Sequence, residues 1–217
     1  MISAKSIDDL ARVTADESWW ADRQRRVVGR LTPTFAKIAA MGARAGARMI
    51  ARSGRKQDED EIDEGEVTRR IAAWLDAEAL GVAEMIAAAH AEAWWRALER
   101  TARRDLLDAI VRAREEGWSV ARTVEAVGDI FGPKRARRIA ITETTRLMGI
   151  GAQASYRAVG ITHWHWRTAN DDRVDSACQA LAAGGPYPIE QEFTPEHVNC
   201  RCWPAPVTVA EQEALAA

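Results

Sequence analysis

Hydrophobic residues recur every three or four positions through most of the chain before residue 160, and this spacing is typical of amphipathic helices. Within residues 14–52 they form one stripe, and Pro33 is expected either to begin a new helix or to kink the old one. Helical spacing resumes at Val67 and continues to about Arg104. The pattern therefore predicts a helical N-terminal region, whose first stripe comprises Leu31, Phe35, Ile38, Gly42, Ala45 and Met49.

Glycine, proline and serine mark where the next helices begin and end. Gly117 is expected to stop a helix that buries Leu107, Ile110 and Val111, and Ser119 is expected to cap a short helix after it. The pair Gly132-Pro133 ends that short helix and begins a long one, because proline suits the first turn of a helix. This long helix is predicted from Pro133 to Ala158, with Gly160 after its end and a stripe at Ala136, Ala140, Leu147, Ile150 and Ala154.

The pattern changes after Gly160, where polar and aromatic residues alternate over 163–168 and predict a strand. The segment from Cys200 to Val209 is expected to return as a second strand, broken by its two prolines. The predicted fold class is mainly α with a small α+β C-terminal module. It comprises an N-terminal helical region, then a long helix, a short antiparallel sheet and an irregular Cys/His knuckle.

The chain is predicted to divide into four segments. Residues 1–57 hold N-terminal helices, and residues 58–66 are a run of acids that repel one another and have little to bury, so we interpret them as a linker. Residues 67–132 form a second helical region. Residues 133–217, called the C-terminal module below, follow it.

Net charge and the distribution of apolar residues argue against several classes of protein. The 217 residues include 30 Lys and Arg against 32 Asp and Glu, a net charge of −2 that does not favour a dedicated nucleic-acid coat protein. The start of the chain lacks the features of a secretory signal, so we expect the chain to be made in the cytoplasm. The most apolar stretch, residues 85–95, is much shorter than the ~20 residues of a membrane span, and no membrane partner is expected.

Two patterns on the first long stripe leave alternatives open. Gly42 and Gly46 either allow close approach of another helix or reflect chance in a sequence rich in Ala and Gly. The opposite face carries regularly spaced arginines that can follow phosphates or an acidic partner, although we interpret them as an ordinary solvated face. These arginines are Arg44, Arg48, Arg52 and Arg55.

Three blocks in the C-terminal module resemble the phage Mu F-like minor head proteins, also called head morphogenesis proteins. The first is the helix string RIAITETTR at 138–146, and the second is WRT at 166–168 followed by DDRV at 171–174. The third is FTPEHVNCRC at 193–202. The resemblance covers residues 133–206, about a third of the chain. This chain departs from the family pattern in having Asp175 where the family often has a cysteine, and Val198 where it has a proline.

The resemblance implies a minor structural protein of a tailed-phage head or phage-like particle, with no enzymatic activity and no catalytic residues. It implies a place inside the head near the portal and a role in capsid assembly or DNA delivery. The expected location is the virion, and the expected partners are the portal protein, capsid or head components and packaged double-stranded DNA. An alternative function is a nuclease or toxin-like enzyme that uses His163 and His165 with a Glu/Arg set.

The cysteines and one histidine suggest a metal site. Cys178, His197, Cys200 and Cys202 supply four soft ligands, the last three in the pattern H-x-x-C-x-C, and such a closed set suits structural zinc. Asp175 is an alternative ligand. Buried cysteines without metal, or a disulfide from Cys178 to one of the other two, are equally open readings.

Charged residues in the same module are expected to hold it together. Glu143 falls on the apolar stripe of the long helix and therefore needs a cationic partner, for which Arg146 is the nearest candidate. We expect Glu143 and Arg146 to form a structural network with Asp171 and Arg173, or with the loop that carries His197.

Overall fold

A computed structural model describes residues 7–54, 64–130 and 132–216. The helices are α1 (Ile7–Ala15), α2 (Glu17–Gly54), α3 (Glu64–Ala77), α4 (Ala79–Glu115), α5 (Val120–Ile130), α6 (Pro133–Ala158), α7 (Ser176–Gly184) and α8 (Val209–Ala216). The strands are β1 (His163–Arg167), β2 (Tyr187–Pro188) and β3 (Trp203–Pro206). The predicted fold class, mainly helical with a small antiparallel sheet near the C-terminus, is confirmed.

The chain forms two compact units that are each discontinuous in sequence. The first unit combines residues 1–32 with 89–139, and the second combines residues 33–88 with 140–217. The predicted boundaries at 58, 67 and 133 stay predictions. Most of the predicted linker, residues 58–63, lies outside the described part of the chain.

Helix α2 continues through Pro33 as one helix of 38 residues, so the expectation that a new helix begins there is wrong, and the alternative of a kink stays a prediction. A proline removes a single backbone hydrogen bond, which packing on either side of it can offset. The predicted stripe is also displaced, because Ile38, Ala45 and Met49 are only half-buried. Phe35 and Gly42 of that stripe are buried as predicted, and the other buried positions are Ala36, Ala39, Ala43, Gly46, Ala47 and Ile50.

Small residues define the buried face of α2 because α6 approaches it closely. A Cβ atom added at Gly46 would lie 2.9 Å from Cα of Ala152, and one added at Gly42 would meet the backbone of Met148. A Cβ at Gly151 of α6 would meet the carbonyl of Ala39. The close-approach interpretation of Gly42 and Gly46 is thus confirmed.

The helical region before Pro133 differs from the prediction in where its helices end. Helix α4 runs without a break through residue 104 to Glu115 and buries Leu106 and Ile110, whereas Leu107 and Val111 are each 49% exposed. Gly117 has a φ of 63°, consistent with its predicted role as a stop. Ser119 caps α5, because its Oγ accepts a hydrogen bond from the backbone N–H of Arg122 at 3.2 Å.

Helix α6 begins at Pro133 and is followed by Gly160 at a φ of 85°, as predicted. Leu147, Ile150 and Ala154 of its predicted stripe are buried, but Ala136 and Ala140 are exposed. The helices α1, α7 and α8 were not predicted. They are eight or nine residues long, which is too short for a repeating hydrophobic stripe to be read with certainty.

The sheet has the order β2-β1-β3, with both neighbours antiparallel to β1. Pro206 lies opposite Trp164 and Pro204 opposite Trp166. Val207 donates its N–H to the carbonyl of His163 at 3.3 Å. Because this pattern repeats every second residue, the backbone nitrogens of Ala205 and Trp203 also face β1, whereas those of the two prolines face the open edge of the sheet. The second strand is therefore compatible with prolines that the sequence suggested would break it.

The core of the second unit is aromatic. Trp164 and Trp166 of β1 point to one side of the sheet and meet Phe193, whose ring centre is 4.9 Å from that of Trp166. Tyr156 of α6 is fully buried in the same cluster. This core fixes the sheet, α7 and the loop before β3 against α6, and so positions the cysteines.

Candidate metal centre

Helix α6 holds the loop that contains Phe193 through a glutamine. Gln153 is fully buried, donates from Nε2 to the carbonyl of Gln191 at 3.0 Å and accepts from the N–H of Phe193 at 2.7 Å. Arg157, one turn later, donates to the carbonyl of Ile189 at 2.7 Å. These bonds satisfy backbone groups of an irregular segment that has no strand partner there.

Two threonines and a tyrosine of the same helix hold the Cys/His knuckle and β3. Thr145 donates to the carbonyl of Cys200 at 3.0 Å, and Thr142 accepts from the N–H of Asn199 at 3.1 Å. The hydroxyl of Tyr156 donates to the carbonyl of Pro204 at 3.0 Å, and burial holds the pKa of this phenol far above its usual range. The α6 anchor residues are thus Thr142, Thr145, Gln153, Tyr156 and Arg157.

The knuckle brings two cysteines together from separate elements. Cys178 lies in the first turn of α7, and Cys200 follows a turn in which its N–H bonds the carbonyl of His197 at 3.2 Å. The two sulfurs are 3.8 Å apart and both cysteines are fully buried. Two sulfurs bound at about 2.3 Å to a tetrahedral Zn²⁺ are about 3.8 Å apart, so the pair fits this ion.

His197 completes a group of three ligands. Ligand atoms of Cys178, His197 and Cys200 all lie within 4.8 Å of one another, and among the described residues this is the only such group of three or more His, Cys, Asp or Glu side chains. Nδ1 of His197 lies 3.0 Å from the carbonyl of Val198, which can only accept, so this nitrogen carries the hydrogen. Nε2 then keeps the lone pair that a metal needs.

The remaining sequence candidates occupy different places around this group. Cys202 is buried and its sulfur interacts with those of Cys178 and Cys200, but it lies outside the group of three. Asp175 caps α7 by accepting from the N–H of Ala177 at 2.8 Å. Burial raises the pKa of the Cys178 and Cys202 thiols, so both are protonated at neutral pH without a cation.

The four charged residues of the predicted network form ion pairs at two places, one on α6 and one in the turn before α7. Nε of Arg146 lies 3.5 Å from a carboxylate oxygen of Glu143 one turn earlier on α6. Asp171 is 3.6 Å from Arg173 but binds Arg201 more closely, through two hydrogen bonds of 2.7 Å, and these bonds hold its pKa well below the usual range. The sequence analysis did not include Arg201 among the charged residues of the network, although it lies directly between two candidate metal ligands, Cys200 and Cys202.

The two histidines of the alternative enzyme hypothesis lie on one face of β1 and contact different partners. Nε2 of His165 is 3.2 Å from Glu211 of α8, and Nδ1 of His163 is 3.0 Å from the hydroxyl of Thr162. Hydrogen bonds from Thr208 lower the pKa of Glu211, with a smaller contribution from His165. The arrangement positions α8 against the sheet.

Part of the chain matches a known protein family. Residues 101–204 match the model of the family described as Phage Mu protein F like protein. This segment, a little under half of the chain, is similar to that family. No curated protein and no solved structure matches the chain.

The Mu F-like segment begins well before the predicted start of the resemblance at residue 133; it includes α5, α6, β1 and β2, and it ends within β3. The family indicates a phage head morphogenesis protein, located in the virion and with partners in the head. Proteins of this family are generally structural. Among the described helices, none combines the length and the apolar character needed to cross a bilayer.

The α6 anchor residues are the functional positions that sequence reasoning missed. Thr142 and Thr145 lie inside the quoted helix string, but no role was given to them. Gln153 looked like an ordinary polar position, and its only signal was its place on the same turn as the buried Ile150 and Ala154. A glutamine at a buried helix position is informative because its amide requires partners on both sides.

Proposed function

We propose that the protein is a minor structural component of a tailed-phage head or phage-like particle, which lies inside the head near the portal and assists capsid assembly or DNA delivery. Its partners are the portal protein and other head components, with packaged DNA as a further partner. The match of residues 101–204 to the Mu F-like family is the observation that carries this proposal.

The chemistry of the module supports a structural role. The α6 anchor residues bond backbone groups of the loop and of β3. Among the described residues, the one group with metal-binding spacing consists of two cysteines and a histidine. With Cys202 as a fourth ligand this set would be closed, as in structural zinc sites, whereas catalytic zinc sites keep an open position.

Particle composition tests this proposal. Quantitative mass spectrometry of purified particles is expected to find the protein at a fixed ratio to the portal protein, and affinity capture of the portal protein is expected to retain it. Expression of the gene with no protein in the particles would contradict the proposal.

The Cys/His group serves as a structural zinc site in this proposal. Cys178, His197 and Cys200 hold the ion, and Cys202 moves to become the fourth ligand. Bound zinc would tie α7 to the knuckle by direct bonds to both segments. The thiols must lose their protons on binding, so apparent affinity is expected to rise with pH.

Metal content measured by mass spectrometry tests the zinc site. The protein purified with zinc and dialysed without chelator is expected to retain one equivalent. His197→Ala is expected to lose it, whereas His163→Ala, a matched change at another half-buried histidine, is expected to retain it. Equal metal content in the two variants would contradict the assignment of His197.

Glu143, Arg146, Asp171 and Arg173 act in this proposal as a structural network that holds the module and takes no part in chemistry. The Glu143 side chain is only 15% exposed and that of Arg146 27%, which makes their pair sensitive to loss of one member. Asp171 stabilises the turn before α7 through its bonds to Arg201 and to the N–H of Arg173.

A further inference from the structure

The second half of α2 carries a row of positive charge on its outer face. Lys37, Arg44, Arg48 and Arg52 are all exposed, as is Met41 between the first two. Their spacings of four, three, four and four residues place them on one side of the helix over about 22 Å. These five residues are called the basic face below.

The opposite side of the same helix segment is firmly held. Gly42 and Gly46 lie across the helix from the basic face and pack closely on α6, Gly42 against the backbone of Met148 and Gly46 against Ala152 and the hydroxyl of Ser155. Ala39, Ala43 and Ala47 are buried on that side. The basic face is therefore a rigid row of cations that points away from the packed side of its own unit.

An ordinary solvated helix face mixes charges of both signs, and this one does not. The sequence contains no Asp or Glu from residue 23 to residue 57. Several exposed arginines outside this face do have acidic partners: Arg26 pairs with Asp22, and Arg114 with Asp8. In the described part of the chain the four cations of the basic face make no ion pair. This imbalance argues against our first interpretation of the arginines as a merely solvated face.

We propose that the basic face binds the phosphate backbone of double-stranded DNA without regard to sequence. A rod of cations complements a duplex, which carries one negative charge about every 1.7 Å along its axis. The inference deepens the proposed function by naming the surface that meets packaged DNA, and it rests on that function only for the source of the duplex.

Other polyanions fit the basic face less well. A single strand is bound by stacking bases on aromatic rings, and the face has none. A protein interface needs aromatic or apolar anchors at its centre, and a membrane needs an apolar face to insert, whereas here Met41 is the one apolar member. Charge without stacking or apolar anchors favours backbone contacts to a duplex.

Counterion release gives the size of the expected effect. Four phosphate contacts predict that the logarithm of the binding constant falls with the logarithm of salt concentration at a slope of about −3.6. The affinity is then expected to fall roughly 150-fold between about 50 and 200 mM salt.

The test is fluorescence anisotropy of a labelled duplex of random sequence, titrated with the full chain at several salt concentrations. The variant with Lys37→Gln, Arg44→Gln, Arg48→Gln and Arg52→Gln is expected to lose most of the affinity and the salt slope. A control variant removes the same charge from exposed arginines that have acidic partners: Arg25→Gln, Arg26→Gln, Arg104→Gln and Arg114→Gln. This control is expected to keep the slope of the parent chain, and circular dichroism verifies that both variants fold.

Three results would overturn the inference: no binding by the parent chain, equal loss in the two variants, or equally tight binding of an acidic polypeptide of matched charge. The last result would instead indicate an acidic protein as the partner. Failure of the proposed function is separate, because it is measured by the absence of the protein from particles, and DNA binding by the purified chain does not depend on that result.

Discussion

Replacing Gln153 with methionine tests whether the α6 anchor residues hold the C-terminal module. Methionine has nearly the volume of glutamine, so the change removes both hydrogen bonds while leaving little cavity. The carbonyl of Gln191 keeps a second partner, because the indole N–H of Trp164 also donates to it at 3.1 Å. The N–H of Phe193 loses the partner that lies 2.7 Å away in a buried site.

The expected cost follows from these two losses. A buried donor without a partner costs about 1–3 kcal/mol, and the lost bond to a carbonyl that keeps another partner adds about 1 kcal/mol. Gln153→Met is therefore expected to lower the free energy of opening of the module by about 2–4 kcal/mol.

Thiol labelling measures this opening directly, since all three cysteines of the chain are buried in the module. When closing is faster than labelling, the rate of reaction with a disulfide reagent follows the population of the open form. In chelator-treated protein, Gln153→Met is expected to raise the rate by about 30- to 700-fold, at about 1.4 kcal/mol for each factor of ten.

Gln179→Met provides a matched control, because Gln179 is exposed on α7 and close in sequence to Cys178. This variant is expected to label at nearly the rate of the parent chain. A Gln153→Met rate equal to that of the control would refute the reasoning, and would mean that the aromatic core alone holds the loop.

Three further perturbations test the packing and the charged pairs, each by thermal or chemical unfolding of the full chain. Glu143→Ala is expected to destabilise by about 1.5–3 kcal/mol, and Glu143→Leu combined with Arg146→Met to recover much of the loss; equal unfolding midpoints for the single variant and the parent would contradict the buried pair. Gly42→Ala is expected to destabilise by about 1–3 kcal/mol or more, whereas Gly29→Ala on the same helix, where a Cβ meets nothing within 4 Å, is expected to stabilise by about 0.4–1 kcal/mol; a neutral Gly42→Ala would show that the helices are not in contact there. Asp171 has a lowered pKa, so its contribution is present above the unfolded pKa and is lost as the pH falls from about 5 toward 1; Asp171→Asn is expected to flatten the acid limb of the stability profile, and an unchanged profile would contradict this.

Helix boundaries that depend on local chemistry were predicted from the sequence. Pro133 begins α6, Gly160 follows its end in a left-handed conformation, and Ser119 caps α5. Each signal acts through the backbone of a few neighbouring residues, which is why it can be read without tertiary contacts. The alternation that predicted β1 is equally local, because it reflects burial of Trp164 and Trp166 on one side of the strand.

The faces that helices bury were decided by their partners in space. On α2 the sequence favoured bulky residues such as Ile38 and Met49, whereas the structure buries Ala39, Ala43 and the glycines because α6 comes into backbone contact there. A close approach excludes large side chains, so the strongest contact is marked by the smallest residues.

For the candidate metal site too, some features could be predicted from the sequence and others depended on the tertiary structure. The sequence by itself determined which residue types can bind a metal, because Cys178, His197 and Cys200 are recognisable by chemistry and spacing. Only the tertiary structure decided that Asp175 caps a helix, that Cys202 lies outside the group of three, and that Asp171 binds Arg201. A side chain's partner depends on which distant segment folds beside it, and the core around Trp166 and Phe193 sets that neighbourhood.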